Sequence, residues 1–170
     1  MALAIDRKPW GTRSRLDCNL NLPDGIREAL DSYTFDGKDK LINSALRKSI
    51  ESESALKMAR IIDTAIEIGT QYATEPVTIY RGIGNSKNIF DKLNNITLKN
   101  LKPSMKFNNR SLLSCSQSEK VARKFAEGNY GIMWVLKTNK GLPITSLSYY
   151  KKELEYLMKS DLNFKVVNKY

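Results

Sequence analysis

The chain contains no histidine. That absence removes every scheme in which an imidazole takes a proton from a serine or cysteine nucleophile. It also removes the commonest zinc ligand. Only Cys18 and Cys115 could supply sulfur, and two thiols do not close a tetrahedral zinc site. The two cysteines stand far apart and read as reduced thiols, which fits a reducing cytoplasm. Long apolar runs are missing as well. MALAIDRKPW meets charge too soon to serve as a signal peptide, and the stretch around GIMWVL falls far short of the ~20 residues that span a bilayer. The expectation is a cytoplasmic protein with no membrane association. There are no repeats, low-complexity segments or linkers, so the 170 residues read as one domain with a sizeable core.

What the chain has in excess is positive charge: 28 Lys and Arg against 18 Asp and Glu, a net of +10. A solvated basic surface accounts for such a balance. So does an anionic partner such as nucleic acid, a nucleotide or an acidic protein. Charge alone does not choose, and no signature of a known nucleic-acid-binding module accompanies it.

The first part, residues 1–75, reads as mostly helical. Asp24, after Pro23, is placed to cap a short helix over Ile26, Ala29 and Leu30. KDKLINSALRKSI carries an apolar stripe at Leu41, Ile42, Ala45, Leu46 and Ile50. ESALKMARIIDTAIEIGTQY repeats it at Ala55, Met58, Ala59, Ile62 and Ile66, with Gly69 as its stop. From Pro76 the pattern becomes β-rich, over residues 76–170. VTIYR, stopped by Gly82 and Gly84, is a strand, and SLLSC, GIMWVLK, PITSL and NFKVVNK follow. One helix interrupts them. Ser116-Gln117-Ser118-Glu119 has the spacing of a capping box, Val121, Ala122, Phe125 and Ala126 form the apolar side, and Gly128 closes it. Phe125 reads as core. Helices packed on a sheet region give an α+β fold.

Two places carry chemistry. In VTIYR, alternation puts Arg81 on a face with Val77 and Ile79. A guanidinium among β-branched side chains needs an anion: a ligand phosphate or carboxylate, an internal acid, or solvent at the strand end. Gly82 beside it permits close approach to the backbone. Gly82-Ile83-Gly84 is no dinucleotide fingerprint, because Lys87 stands where the third glycine belongs and no βαβ unit surrounds it. The second place is YYKKELEYLM. As a helix it would be a surface with Glu/Lys pairs. As a strand it would put Glu153, Glu155 and Leu157 on one face and Leu154, Tyr156 and Met158 on an apolar face, with the glutamate Cα atoms about 6–7 Å apart. Paired carboxylates call for a cation. One carboxylate ~4 Å from a developing positive charge supplies up to ~4 kcal/mol at an effective dielectric near 20, about a thousandfold in rate. A sugar oxocarbenium ion is such a cation, although two acids on one strand face do not flank a glycosidic bond from opposite sides as a glycosidase needs.

In order along the chain stand Tyr80-Arg81-Gly82, then Ser114-Cys115-Ser116, then Glu153-Leu154-Glu155. This set resembles the arginine, serine-x-serine, glutamate-x-glutamate signature of mono-ADP-ribosyltransferases, and is similar to the cholera-toxin-like branch and its relatives in T4-like phages. The usual serine-threonine-serine reads Ser-Cys-Ser here. The resemblance implies split antiparallel β-sheets with an N-terminal helical layer, NAD as co-substrate in a cleft between the sheets, and no metal. It implies that Arg81 binds an NAD phosphate and the Gly82 backbone meets the nicotinamide amide. Ser114 orients Glu155, with Ser116 also at the NAD site. Glu155 holds a ribose hydroxyl and stabilises the oxocarbenium ion, and Glu153 receives the guanidinium of a target arginine. Tyr149 or Tyr150 recognises the target. Implied partners are proteins with an exposed arginine, such as host transcription or translation proteins in the host cytoplasm, with RNA association through the basic surface. NAD hydrolysis and a non-catalytic basic nucleic-acid-binding module are the alternatives.

Overall fold

The computed structural model describes residues 23–35, 37–71, 75–84, 102–128, 131–145, 147–148 and 150–168. The readings made on residues 1–10, Cys18, Lys87 and Tyr149 lie outside them. Three helices come first: α1 (Asp24–Thr34), α2 (Lys38–Leu46) and α3 (Glu53–Thr70). Their apolar stripes face inward as the 3.6-residue period requires, with Leu30, Ile42, Ile62 and Ile66 almost wholly buried. The Ser52 hydroxyl accepts the Ala55 N–H at 3.3 Å and caps α3.

The β region contains β1 (Val77–Ile83), β2 (Lys106–Asn109), β3 (Leu113–Ser116), β4 (Ile132–Thr138), β5 (Leu142–Pro143), β6 (Glu155–Met158) and β7 (Leu162–Lys165). Helix α4 (Glu119–Phe125) follows β3, and a 3₁₀ turn at Lys151–Glu153 precedes β6. Five strands form one sheet in the order β4-β1-β3-β6-β5, and β2 pairs with β7 in a second. Every ladder is antiparallel.

Both faces of the larger sheet are covered. Leu112, Leu142, Ile144 and Leu157 pack against the three helices. On the other face Ile79, Leu113, Cys115, Tyr156 and Met158 meet Leu162 and Phe164 of β7. Phe107 and Phe164 stack at 5.4 Å and Trp134 meets Phe107 edge-on at 5.5 Å, so an aromatic layer fills the space between the sheets. Each fully buried Leu, Ile or Met contributes roughly 1.5–3 kcal/mol. The architecture is α+β with split antiparallel sheets and an N-terminal helical layer, as the motifs implied.

Several local expectations change. Asp24 opens α1 but its side chain makes no cap. Helix α2 ends at Leu46, leaving Ile50 beyond it and exposed, and Leu41 within the helix is exposed as well. Gly69 does not end α3 but lies inside it, where a Cβ would fall 2.4 Å from Leu142 Cδ1. Gly82 does not stop β1, which runs through it to Ile83. Among the described residues of PITSL only Pro143, with Leu142, is strand. The strand KFNN carries no strong β signal and was missed. The Ser116 capping box does not form. Ser116 ends β3, and the N-cap of α4 is Ser118, without a side-chain cap bond. The helix ends at Phe125 with Ala126 as C-cap, before Gly128 is reached. Phe125 is 52% exposed, not core.

Helix α4 sits on a bed of glycines. A Cβ at Gly82 would lie 1.8 Å from the Ala122 carbonyl oxygen, and one at Gly131 would lie 1.6 Å from that of Ala126. Both obstacles are backbone, which cannot swing aside as a side chain does. The glycine at position 82 therefore serves helix docking, and the approach it permits on that side is by α4. Gly82→Ala is expected to displace α4 and cost at least about 1–3 kcal/mol, read as a lower midpoint in urea unfolding with an unchanged slope.

Candidate active site

Strands β1 and β3 pair only at Tyr80↔Ser116, whereas β1 and β4 stay in register from Val77↔Thr138 to Ile83↔Ile132. The sheet thus opens between β1 and β3. There the Arg81 guanidinium donates through Nη1 to the Ser114 carbonyl oxygen at 2.5 Å, a side-chain bond standing where a ladder bond would run. A cavity of about 530 Å³ lies at this opening, a size suited to a small-molecule ligand. Arg81, Gly82, Ser114, Ser116, Glu153 and Glu155 all line it, with Tyr150 at its rim. Its other walls are α1, α2 and α4. Among the described residues, the lining comes from the larger sheet, the helices and the turn before β6, and none of it from β2 or β7.

Glu155 is the first residue of β6, paired with Ser116, and only 6% exposed. Burial pushes its carboxyl above the ordinary carboxylate range, and Asp39 adds to this. Hydroxyl bonds from Ser114 and Ser148 and the charge of Arg81 pull it back. Tyr33 from α1 bonds the same Ser114 hydroxyl, Oη to Oγ at 3.2 Å.

The glutamates do not share a strand. Glu153 ends the 3₁₀ turn, and Leu154 between them has φ 50 and ψ 49, the left-handed region, at roughly 1–2 kcal/mol for a side chain of this kind. The kink, and not strand alternation, brings both carboxylates to the cavity. Leu154 leaves the apolar face expected for it, while Leu157, on the Glu155 face, is fully buried under the helices. The turn is fastened to the end of β3: Ser116 Oγ donates to the Glu153 carbonyl at 2.6 Å and accepts the Ser118 N–H at 3.0 Å, and Gln117 N–H donates to the Leu154 carbonyl at 3.0 Å. Burial pushes the Glu153 carboxyl up, and the charge of Glu155 adds to it.

Three residues of the site were not singled out by sequence, and a fourth, Phe125, was expected in the core. Tyr33 looked like any apolar-stripe residue. Ser148 had no motif around it. Asp39 looked like a helix-surface acid, yet it lines the cavity. Phe125, half exposed, offers a flat ring there; its place one turn beyond Ala122 on a short helix was the available signal. Cys115 turns to the core with Ile79 and Tyr156, and burial pushes its thiol up to about 12, which makes it an unreactive packing group. Among the described residues no cluster of acids and thiols could hold a metal ion, and no helix is long and apolar enough to cross a membrane.

Because folding raises the Glu155 pKa, this group favours the fold below its ordinary value of 4.5 and withdraws that support as pH rises through the raised value. Glu155→Gln, which keeps an acceptor for both hydroxyls, is expected to melt higher than wild type at pH 7. The advantage should fade as pH falls towards 4.5. Melting curves across that window read the effect.

No curated protein sequence matches the chain. Among solved structures, exoenzyme S from Pseudomonas aeruginosa, in complex with human 14-3-3 protein beta and bound to carba-NAD, is similar at 21% identity and a TM-score of 0.64, over 87% of this chain and 68% of that one. The Vis toxin from Vibrio splendidus, in complex with agmatine, is similar at 20% identity and a TM-score of 0.63, over 87% and 69%. A eukaryotic mono-ADP-ribosyltransferase is similar at 19% identity and a TM-score of 0.63, over 94% and 65%. At these identities the likeness is one of fold. The ADP-ribosyltransferase exoenzyme profile matches residues 7–169, nearly the whole chain, and the chain belongs to the ADP-ribosyltransferase exoenzyme family.

Proposed function

We propose that the protein is an NAD-dependent mono-ADP-ribosyltransferase that modifies arginine side chains of other proteins. Enzymes of this family take ADP-ribose from NAD. The observation that carries the finer reading is the convergence of Arg81, Ser114, Glu153 and Glu155 on one cavity, from three separate elements and a turn.

The residues divide the work. Arg81 has five N–H groups and uses one on Ser114 O. Its fork is suited to a phosphate oxygen of NAD. The Gly82 backbone at the cavity wall is suited to the nicotinamide amide, and the Phe125 ring to its flat face. Glu155, steadied by Ser114 and Ser148, holds a hydroxyl of the nicotinamide ribose. The bond from the ribose anomeric carbon to the nicotinamide nitrogen breaks, and its electron pair neutralises the pyridinium. The ribose is left as an oxocarbenium ion close to Glu155, worth up to ~4 kcal/mol at an effective dielectric near 20. A guanidinium nitrogen of the acceptor then attacks that carbon, and Glu153 takes the proton it loses. The upward shift of the Glu153 carboxyl suits a base, which works best with a pKa nearer the operating pH. A glutamine there would hold the acceptor without taking its proton.

The guanidine agmatine held by the Vis toxin is the acceptor chemistry that Glu153 fits. Tyr150, 53% exposed at the rim, is placed to meet the target protein, with Tyr149 beside it in sequence. The three motifs ally the chain with the cholera-toxin-like branch and with phage enzymes. A host protein of transcription or translation, modified in the host cytoplasm, is the target that affinity suggests. The +10 charge favours acidic or RNA-bearing targets.

Incubation with labelled NAD and a cell lysate tests the reading. Wild type should label proteins with a bond that hydroxylamine cleaves as it does ADP-ribosyl-arginine. Glu155→Gln should lose labelling and nicotinamide release by about a thousandfold. Glu153→Gln should lose labelling while retaining part of the nicotinamide release. Equal labelling by all three proteins sinks the assignment; release without labelling by wild type makes the protein an NAD glycohydrolase.

A further inference from the structure

Asn43, Tyr33, Ser114 and Glu155 stand in line from α2 through α1 and β3 to β6. Asn43 Nδ2 lies 3.3 Å from the Tyr33 hydroxyl, and that hydroxyl lies 3.2 Å from Ser114 Oγ. Ser114 lies on the same cavity wall as Glu155, two residues along β3 from Ser116, the ladder partner of Glu155, and its hydroxyl acts on the Glu155 carboxyl to hold its pKa down. Each hydroxyl has one proton to give, and an ionised carboxylate can only accept. Ser114 therefore commits its proton to Glu155 and can only accept from Tyr33. Tyr33 commits its proton to Ser114 and can only accept from Asn43, whose amide supplies the N–H. Every proton in the line points towards Glu155.

The other hydroxyl on Glu155 has the same polarity by a different route. Ser148 Oγ accepts the Tyr150 backbone N–H at 3.2 Å, so its proton faces the carboxylate. A backbone N–H cannot exchange roles, but an amide can. Asn43 Oδ1 is buried with no hydrogen-bond partner. An amide turned over would offer Tyr33 an acceptor and reverse the whole line. Tyr33 itself is 2% exposed among Leu30, Ile42 and Ile62, where packing alone would be served by phenylalanine. Its hydroxyl is retained there against a desolvation cost.

We propose that Tyr33, held in place by Asn43, is a positioning residue for the transfer reaction: it locks the Ser114 hydroxyl proton onto the Glu155 carboxylate and so fixes that carboxylate towards the substrate ribose. The inference rests on the role given to Glu155 above. The charged and titratable groups around Glu155 are Asp39 from α2, Arg81 from β1, Cys115 from β3 and Glu153 from the turn. None of them is altered by removing the Tyr33 hydroxyl, so its removal isolates the line.

Two variants test this. Tyr33→Phe keeps the ring and removes the hydroxyl. Asn43→Asp keeps the shape, but the new carboxylate only accepts and draws the Tyr33 proton away from Ser114. The Glu155 carboxyl is followed by carbon-13 NMR titration of Glu-labelled protein, assigned by its disappearance in Glu155→Gln. Nicotinamide release is measured against pH in parallel. In both variants the Glu155 carboxyl should titrate about 0.5–1 pH unit higher than in wild type, because a hydrogen bond to the charged form is weakened, to which Asn43→Asp adds the repulsion of a new negative charge. The acid limb of kcat should move with it, kcat should fall about 3–10-fold, and KM for NAD should stay within about twofold. Asn43→Asp should add little to Tyr33→Phe, as expected of two groups in one network. An unchanged titration in Tyr33→Phe overturns the proposal even if the variant is less stable, and so does a change confined to KM. The titration needs no turnover: a wild type that releases no nicotinamide would sink the transferase reading, while the titration still decides the proton line.

Discussion

A carboxylate held almost out of water at the start of an inner strand of a packed sheet is the constraint from which the rest of this structure follows. Glu155 begins the strand that carries Leu157 into the helical core and Tyr156 and Met158 into the aromatic layer. An acid in that position is costly unless hydroxyls and cations answer it. Ser114, Ser148 and Arg81 do so, and each comes from a different stretch of chain. The sheet order β1-β3-β6 is what places the first and last of these three motifs on either side of the second. The fold and the site are thus the same arrangement seen at two scales.

The widening between β1 and β3 has a second consequence. Where backbone pairing lapses after Tyr80↔Ser116, the sheet offers polar groups to whatever enters, and the Arg81 side chain occupies part of the gap. Helix α4 closes the opposite wall because glycines let its backbone settle directly on the strands. On that side the α4 backbone rests directly on strand backbone, a firmer support than side chains with rotamer freedom would give.

Much of this could be read in the residues, and the rest could not for identifiable reasons. The helical stripes of α2 and α3 and the strands β1, β3, β4 and β7 announce themselves through periodicity and β-branched content. Arg81, Ser114 and Glu155 stand out because charge or hydroxyl interrupts such a pattern. The strand at Phe107 was invisible because three of its four residues are Lys and Asn, and only its pairing with β7 makes it a strand. The kink at Leu154 was hidden because leucine is a poor candidate for a left-handed conformation. Ser116 looked like a helix cap because the spacing fits one. Tertiary contact with Glu153 claimed its hydroxyl instead. Tyr33 and Ser148 touch Ser114 and Glu155 only through the fold, across separations that no local pattern encodes.

The left-handed residue between the glutamates also separates two jobs that a plain strand would have fused. Glu155 is anchored by the sheet, whereas Glu153 rides on a short turn pinned by Ser116 and Gln117. The side chains of residues 150–153 can therefore be exchanged without disturbing the ladder that holds its neighbour, because the bonds that pin the turn to Ser116 and Ser148 are made by its backbone. Such a joint lets a lineage retarget its choice of acceptor while the bond-breaking apparatus stays intact, so selectivity and chemistry are free to drift at different speeds.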